Sequence, residues 1–234
     1  MSGNKLKKEI DLLNIFKLLN EQRYCLIKIP PEFPGFNIGS DLDIFCYDIR
    51  EVSRVILGEL NKLINDMEYH IGIEEKNEQV HIDFKCDDKI ILRFDLYSSL
   101  PNYNNIKIKD SYFVHVLENI KLVDINNVQV KTPSSIDDSI IRYIEYQEFY
   151  AQRPDKIKHI EYIEKKLAKN EVKLDEVFEK LHYFTSLPNV YEERKVSSNN
   201  MIRYFVTNGK KAYRYTKLYG LSATFKKIFG KMKR

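Results

Sequence analysis

The chain has 234 residues, 43% of them hydrophobic and 31% charged, enough apolar mass for one large domain or a small α/β domain with a helical partner. No run of roughly 18 apolar residues occurs, which excludes a membrane-spanning helix. The lysines near the start lead into no apolar stretch of signal-peptide type, so a cytoplasmic protein is expected. The formal charge of +4 conceals an asymmetry, because twelve basic residues and no acidic one follow Glu193. With those twelve set aside, 26 basic residues face 34 acidic ones, a formal charge of −8 for residues 1–193. The basic end therefore calls for an acidic partner such as anionic lipid, glycan phosphate or nucleic acid. Cys25, Cys46 and Cys86 lack CxxC spacing and sit among strand-forming residues, as buried free thiols would.

Leu6, Ile10, Leu13, Phe16 and Leu19 recur at helical spacing and predict a first amphipathic helix. The apolar run Tyr24–Ile29 reads as a strand ended by Pro30-Pro31, followed by a stiff, sharply turned loop through Gly35. A second strand covers Leu42–Tyr47. Asp48 with Glu51 has the pattern of a capping box, opening a helix that buries Val52, Ile56, Leu60, Leu63 and Met67. Extended runs follow at Tyr69–Glu74, Gln79–Cys86 and Lys89–Tyr97, the last two as a hairpin. This order predicts an α+β fold, a mixed sheet with helices packed against it, over residues 1–103. A mainly helical region is expected over 104–196. It contains a helix at Ser111–Asn119, a strand-like pair bent at Asn126-Asn127, and helices begun by Ser134 or Ser135, by Pro154 and near Leu174. Ser197–Asn200 reads as a linker to a helix around Met201–Phe205 and a basic tail, residues 197–234.

The residues that carry chemistry lie in Gly39-Ser40-Asp41-Leu42-Asp43-Ile44-Phe45. Alternate side chains of a strand share a face, so Asp41 and Asp43 project together while Leu42 and Ile44 enter the core. Carboxylates about 6–7 Å apart repel each other unless a cation lies between them. Hard oxygen ligands suit Mg²⁺ or Mn²⁺, which also bind phosphate oxygens. A pair at the start of a strand leaves coordination positions open, as phosphoryl or nucleotidyl transfer needs. A third acid should come from a neighbouring strand and meet the other two within about 4–5 Å of a common point. Asp95 and Asp83 both alternate with apolar residues. Asp95 is favoured because it precedes the break at Ser98–Pro101, where a site can open, and Asp83 is the alternate.

This run resembles the Asp-x-Asp half of the signature of the DNA-polymerase-β-type nucleotidyltransferase superfamily, over residues 5–97. The stretch Tyr24–Phe45, and the later Asp138–Ile163, also look like nucleotidyltransferase-like proteins of surface-polysaccharide biosynthesis. The resemblance implies a metal-dependent nucleotidyl- or phospho-group transferase acting on a sugar or glycan hydroxyl, with Asp41, Asp43 and Asp95 as catalytic metal ligands. It implies a nucleotide or nucleotide-activated donor held by Gly39, Ser40, Lys28, Arg142, Lys158 and His159. The superfamily places Gly-Ser or Gly-Gly several residues upstream of the acids; here that place holds Lys28-Ile29-Pro30-Pro31.

For Arg142, Lys156, Lys158 and His159 the competing reading is a solvated helix face with Glu145, Glu148 and Asp155 interleaved. His70, His81, His115 and His182 show no metal-ligand spacing and read as ordinary surface or core residues. In the tail, Leu218, Leu221, Phe225, Ile228, Phe229 and Met232 alternate helically with lysines. Residues 218–234 thus predict a basic amphipathic helix, which either holds the protein peripherally on the inner, anionic membrane face or docks on its own domain with a frayed basic end. Two rivals remain: an inactive scaffold of the same fold at the membrane, and an RNA-modifying nucleotidyltransferase whose tail tracks phosphates. Nucleic acid is the weaker of the partners, for no RNA-binding signature is present.

Overall fold

A computed structural model describes residues 10–64 and 69–187. The start of the first helix at Leu6, Met67 of the second, the linker, the helix near Met201 and the tail 218–234 lie outside the described residues. The chain forms two units, residues 1–103 with 108–140, and residues 104–107 with 141–234. The boundary expected at 103/104 thus holds only for a four-residue excursion. The Ser111 helix and the strand pair after it belong to the first unit, not to the helical one.

The architecture is α+β. Helix α1 (Leu12–Leu19) starts at Asp11, whose carboxylate accepts the Asn14 backbone N–H at 3.0 Å. Strand β1 (Tyr24–Leu26) is shorter than the apolar run that contains it, and β2 (Ser40–Cys46) begins two residues earlier than expected. Helix α2 (Ile49–Asn61) is capped by Asp48, which accepts the N–H groups of Arg50 and Glu51. The Glu51 carboxylate pairs with Arg54 at 2.6 Å. Strands β3 (Tyr69–Lys76), β4 (Gln79–Cys86) and β5 (Lys89–Tyr97) complete a five-stranded sheet of order β1-β2-β5-β4-β3. Strands β2 and β5 run parallel and every other neighbour is antiparallel. Asp87 and Asp88 both have positive φ, which the two-residue turn between β4 and β5 requires.

One face of this sheet is apolar throughout its centre. Leu42 and Ile44 of β2, Leu92, Phe94 and Leu96 of β5, and Ile82 and Phe84 of β4 are all buried in one cluster. Leu12, Ile15, Phe16 and Leu19 of α1 and Val52, Ile56 and Leu60 of α2 pack into the same cluster. Both helices therefore cover that face, and the alternate residues of the strands form a second, polar face. The three cysteines are buried and free. Burial pushes the Cys46 thiol up to about 12 and Cys25 higher still, which keeps both as inert thiols.

Helix α3 (Ser111–Glu118) and the hairpin of β6 (Ile120–Ile125) and β7 (Val128–Pro133) close the first unit. The hairpin turns at Asn126-Asn127, both at positive φ. Val130 enters the main core, while Lys131 stretches its ammonium to the carbonyls of Asn20 and Gln22 at 2.8 and 2.7 Å. The Tyr24 hydroxyl accepts the Lys131 N–H at 3.3 Å. One lysine thus ties the hairpin to the exit of α1, and burial lowers its pKa.

The helical unit contains the latter part of α4 (Ser135–Phe149), a 3₁₀ turn at Pro154–Lys156, α5 (Ile157–Ala168) and α6 (Leu174–Phe184). Ser134 caps α4 by accepting the Asp137 N–H at 3.1 Å. The buried Glu148 carboxylate accepts the N–H groups of Asn104 and Asn105 at 2.8 and 3.1 Å, holding the short segment 104–107 in this unit. Among the described residues no helix is long and apolar enough to cross a membrane.

Lys131→Ala removes a charged donor from two carbonyls, and hydrogen bonds of that kind contribute about 1.5–3 kcal/mol each at most. Chemical denaturation should show a loss of about 2–3 kcal/mol. An unchanged midpoint would mean that the hairpin is held by Val130 and by the backbone bond to the Tyr24 hydroxyl.

Candidate active site

The polar face of the sheet is built by register. Asp43 of β2 pairs with Asp95 of β5, Asp41 with Arg93, and Phe45 with Tyr97. Across the other ladder His81 of β4 pairs with Asp95, and Asp83 with Arg93. Neighbouring strands lie about 4.8 Å apart, so the Asp43 and Asp95 carboxylates stand side by side on the same face. Asp41 lies two residues up the same strand, exposed at its mouth. Asp43 is half-buried and Asp95 is 8% exposed.

The turn before β2 is fixed by its own atoms. The Asn37 N–H donates to the Ser40 hydroxyl at 3.1 Å, and the Ser40 N–H donates to the Asn37 carbonyl at 3.0 Å. Gly39 sits at φ +82°, where a side chain is strained, and its N–H donates to the Ile91 carbonyl of β5 at 3.0 Å. This bond ties the loop to the strand that carries Asp95. At the opposite end of the row Phe45, Tyr97 and Phe113 of α3 make an aromatic floor, with ring centroids 6.1 and 5.1 Å apart. The acids thus occupy the open half of the face.

Each acid has distinct company. The Tyr97 hydroxyl lies 3.4 Å from Oδ1 of Asp43. Its pKa is pushed up, first by burial and then by the negative charges of Asp43 and Asp95. Nδ1 of His81 lies 2.5 Å from Oδ1 of Asp95. Burial raises the Asp95 pKa, the His81 contact opposes this, and the charge of Asp41 adds to the rise. Asp83 is different. Arg93 grips it with two hydrogen bonds, Nε to Oδ1 at 2.6 Å and Nη2 to Oδ2 at 2.9 Å, and Lys85 approaches to 3.4 Å. The Arg93 guanidinium holds the Asp83 carboxyl below its usual range. Asp83 is a neutralised ion-pair partner one strand further out, while Asp95 is the acid beside Asp43.

The three favoured acids do not form a ready cage. Among the described residues no group of three or more His, Cys, Asp or Glu side chains is placed to hold a metal ion. The reason is local, since Asp95 is drawn to His81 and Asp41 stands at the exposed end of its strand. The donor chemistry nonetheless suits Mg²⁺ or Mn²⁺. Mg²⁺ commonly takes one or two carboxylates and completes its shell with waters and substrate phosphates. The register pair Asp43 and Asp95 offers that number.

Of the residues expected to hold a nucleotide, Gly39, Ser40 and Lys28 belong to the first unit, and Lys28 is half-buried just after β1. Arg142, Lys158 and His159 belong to the helical unit. There the Arg142 guanidinium stacks 3.9 Å over the Tyr162 ring. His159 is only 2% exposed, with Nε2 3.2 Å from the Glu145 carboxylate that also accepts from Lys156 at 2.9 Å. His159 is thus enclosed within α5's own packing beside Glu145. The solvated-face alternative fails for it.

Two site residues were not singled out in the sequence, His81 and Tyr97. Both sit at even spacing from acids on strands whose apolar alternation is plain. The signal that finds them is the face on which each lies once the register is known. Comparison with family models, with curated proteins and with solved structures found no match.

The Arg93 pair sets a pH dependence. The folded Asp83 pKa is lower than the unfolded value, so its stabilisation is full well above about 3.8, and it is lost as pH falls through the lowered folded value. Asp83→Asn should therefore cost about 1–3 kcal/mol at neutral pH, and the gap to the parent should close in strong acid. Thermal melts across pH would check this, and a gap that persists below pH 2 would assign the loss to shape instead.

Proposed function

We propose that the polar face of the sheet is the catalytic surface of a metal-dependent transferase. It would move a nucleotidyl or phosphate-linked group from a nucleotide-activated donor to a hydroxyl, with a sugar or glycan as the acceptor class. The observation that supports this reading is the juxtaposition of Asp43 and Asp95 on parallel strands, with Asp41 on the same face at its open end. The resemblance of Gly39–Phe45 to the Asp-x-Asp signature of nucleotidyltransferases points the same way.

In this reading Asp43 and Asp95 hold one Mg²⁺ or Mn²⁺, and Asp41 faces the side from which the acceptor arrives. A divalent ion there supplies charge neutralisation on phosphate oxygens and lowers the pKa of a bound hydroxyl. The chain does the rest. Tyr97 orients Asp43, the Asn37–Ser40 turn sets the mouth of β2, and the floor of Phe45 and Phe113 excludes water from one side of the acids. No glycine-rich cradle precedes the acids in the first unit, and Lys28 is the cation nearest to them in sequence on the upstream side. A donor activated as a diphosphate fits that economy of phosphate contacts better than a free triphosphate.

A second reading has its own support. Asp95 is already paired with His81 and Asp83 with Arg93, and no three-ligand group is formed among the described residues. A scaffold that retains the fold and binds no metal would look the same.

The two readings separate in one experiment. The parent protein should gain several degrees in melting temperature with a nucleotide or nucleotide-sugar when Mg²⁺ is present, and little without it. Asp43→Asn should erase that gain while leaving its own midpoint equal or slightly higher, because one of the mutually repelling charges is gone. If no member of a broad nucleotide panel shifts the parent in either condition, the scaffold reading stands.

A further inference from the structure

We propose that His81 is a positioning residue for Asp95, donating from Nδ1 to Oδ1 so that the other carboxylate oxygen is presented to a divalent cation shared with Asp43. The inference rests on reading Asp95 as a metal ligand and adds to it a residue outside the acidic signature.

Three observations carry it. His81 and Asp95 are direct cross-strand partners, and their side chains are 13% and 12% exposed, so the contact is sheltered from competing water. Both nitrogen neighbours of Asp95 reach the same oxygen, Nδ1 of His81 at 2.5 Å and Nε of Arg93 at 3.9 Å, both to Oδ1. Oδ2 is thereby the oxygen left for a cation. The third observation is the division of labour on β4 and β5. Arg93 spends its two short hydrogen bonds on Asp83, one residue pair away.

The choice of partner matters. A strand that merely had to bury Asp95 would be served best by a fixed cation, as Asp83 is by Arg93. A histidine donates a hydrogen bond through one ring nitrogen without requiring a fixed positive charge. It orients the carboxylate and leaves the row of Asp41, Asp43 and Asp95 its negative field. That is the chemistry expected of a partner behind a metal ligand, since ligating carboxylates are themselves hydrogen-bonded and losing such a partner weakens metal binding roughly 10–100-fold. Tyr97 plays a similar part beside Asp43, at a longer 3.4 Å.

The test uses Mn²⁺ alone as the probe, with binding to the full chain measured by electron paramagnetic resonance. His81→Ala should weaken the Mn²⁺ dissociation constant by about 10–100-fold. His81→Asn places an amide N–H close to where Nδ1 stood and should recover affinity to within a few-fold of the parent. His81→Gln carries its amide one methylene further and should behave like alanine. A merely structural role would shift the melting temperature without ranking asparagine above glutamine in metal affinity. Should the alanine variant fail to fold by circular dichroism, the asparagine and glutamine pair decides. Equal affinity in those two, or an alanine variant that binds as tightly as the parent or tighter, overturns the role of His81 while leaving the metal site standing. A parent that binds no Mn²⁺ at millimolar concentration overturns both.

Discussion

The parallel pairing of β2 with β5 is the constraint on which the rest of the site depends. It joins two strands separated by more than forty residues and sets Asp43 beside Asp95 in register. Because the side-chain period of a strand is two, a slip of either strand by one residue would send its acid into the helix-covered core and bring Leu42 or Phe94 to the open face. The buried cluster of Leu42, Ile44, Phe94 and Leu96 forbids that slip, so the packing energy of one face fixes the chemistry of the other. Gly39 adds a local lock through its bond to Ile91, at the point where the loop meets β5.

Carboxylates gathered on one face carry a cost, and the sheet meets it in two ways. Asp83 is neutralised by the Arg93 fork and Lys85, and its pKa is lowered accordingly. Asp95 is held by a histidine, and burial with the nearby charge of Asp41 raises its pKa. The same face therefore contains one satisfied ion pair and one acid row with residual negative field. That contrast separates two aspartates that look alike in the sequence, both alternating with large apolar residues.

The helical unit manages its charges differently. Glu145 gathers Lys156 and His159 where α5 begins, and Glu148 ends the unpaired N–H groups of residues 104–105. The first group ties α4 to the start of α5, and Glu148 pins α4 to the short extended segment. Arg142 and Lys166 both lie over the Tyr162 ring, at 3.9 and 5.0 Å, a cation–ring packing between α4 and α5.

Much of the α+β fold was legible in the sequence because it depends on local chemistry. The alternation in Leu42–Cys46 and Leu92–Leu96 marked strands, Asp48 marked the start of α2, and Asn126-Asn127 and Asp87-Asp88 marked turns that need positive φ. The pairing of Asp41 and Asp43 on one face also follows from strand period alone. What the sequence could not decide was which strands become neighbours, because register is settled by burial summed over a whole face. Only the tertiary structure set Asp95 beside Asp43, gave Asp83 to Arg93, turned His159 inward to Glu145, and brought His81 to Asp95. It also joined α3 and the β6–β7 hairpin to the sheet-bearing unit, where Val130 fills the core and Lys131 finds the carbonyls of Asn20 and Gln22, contacts between residues more than a hundred positions apart.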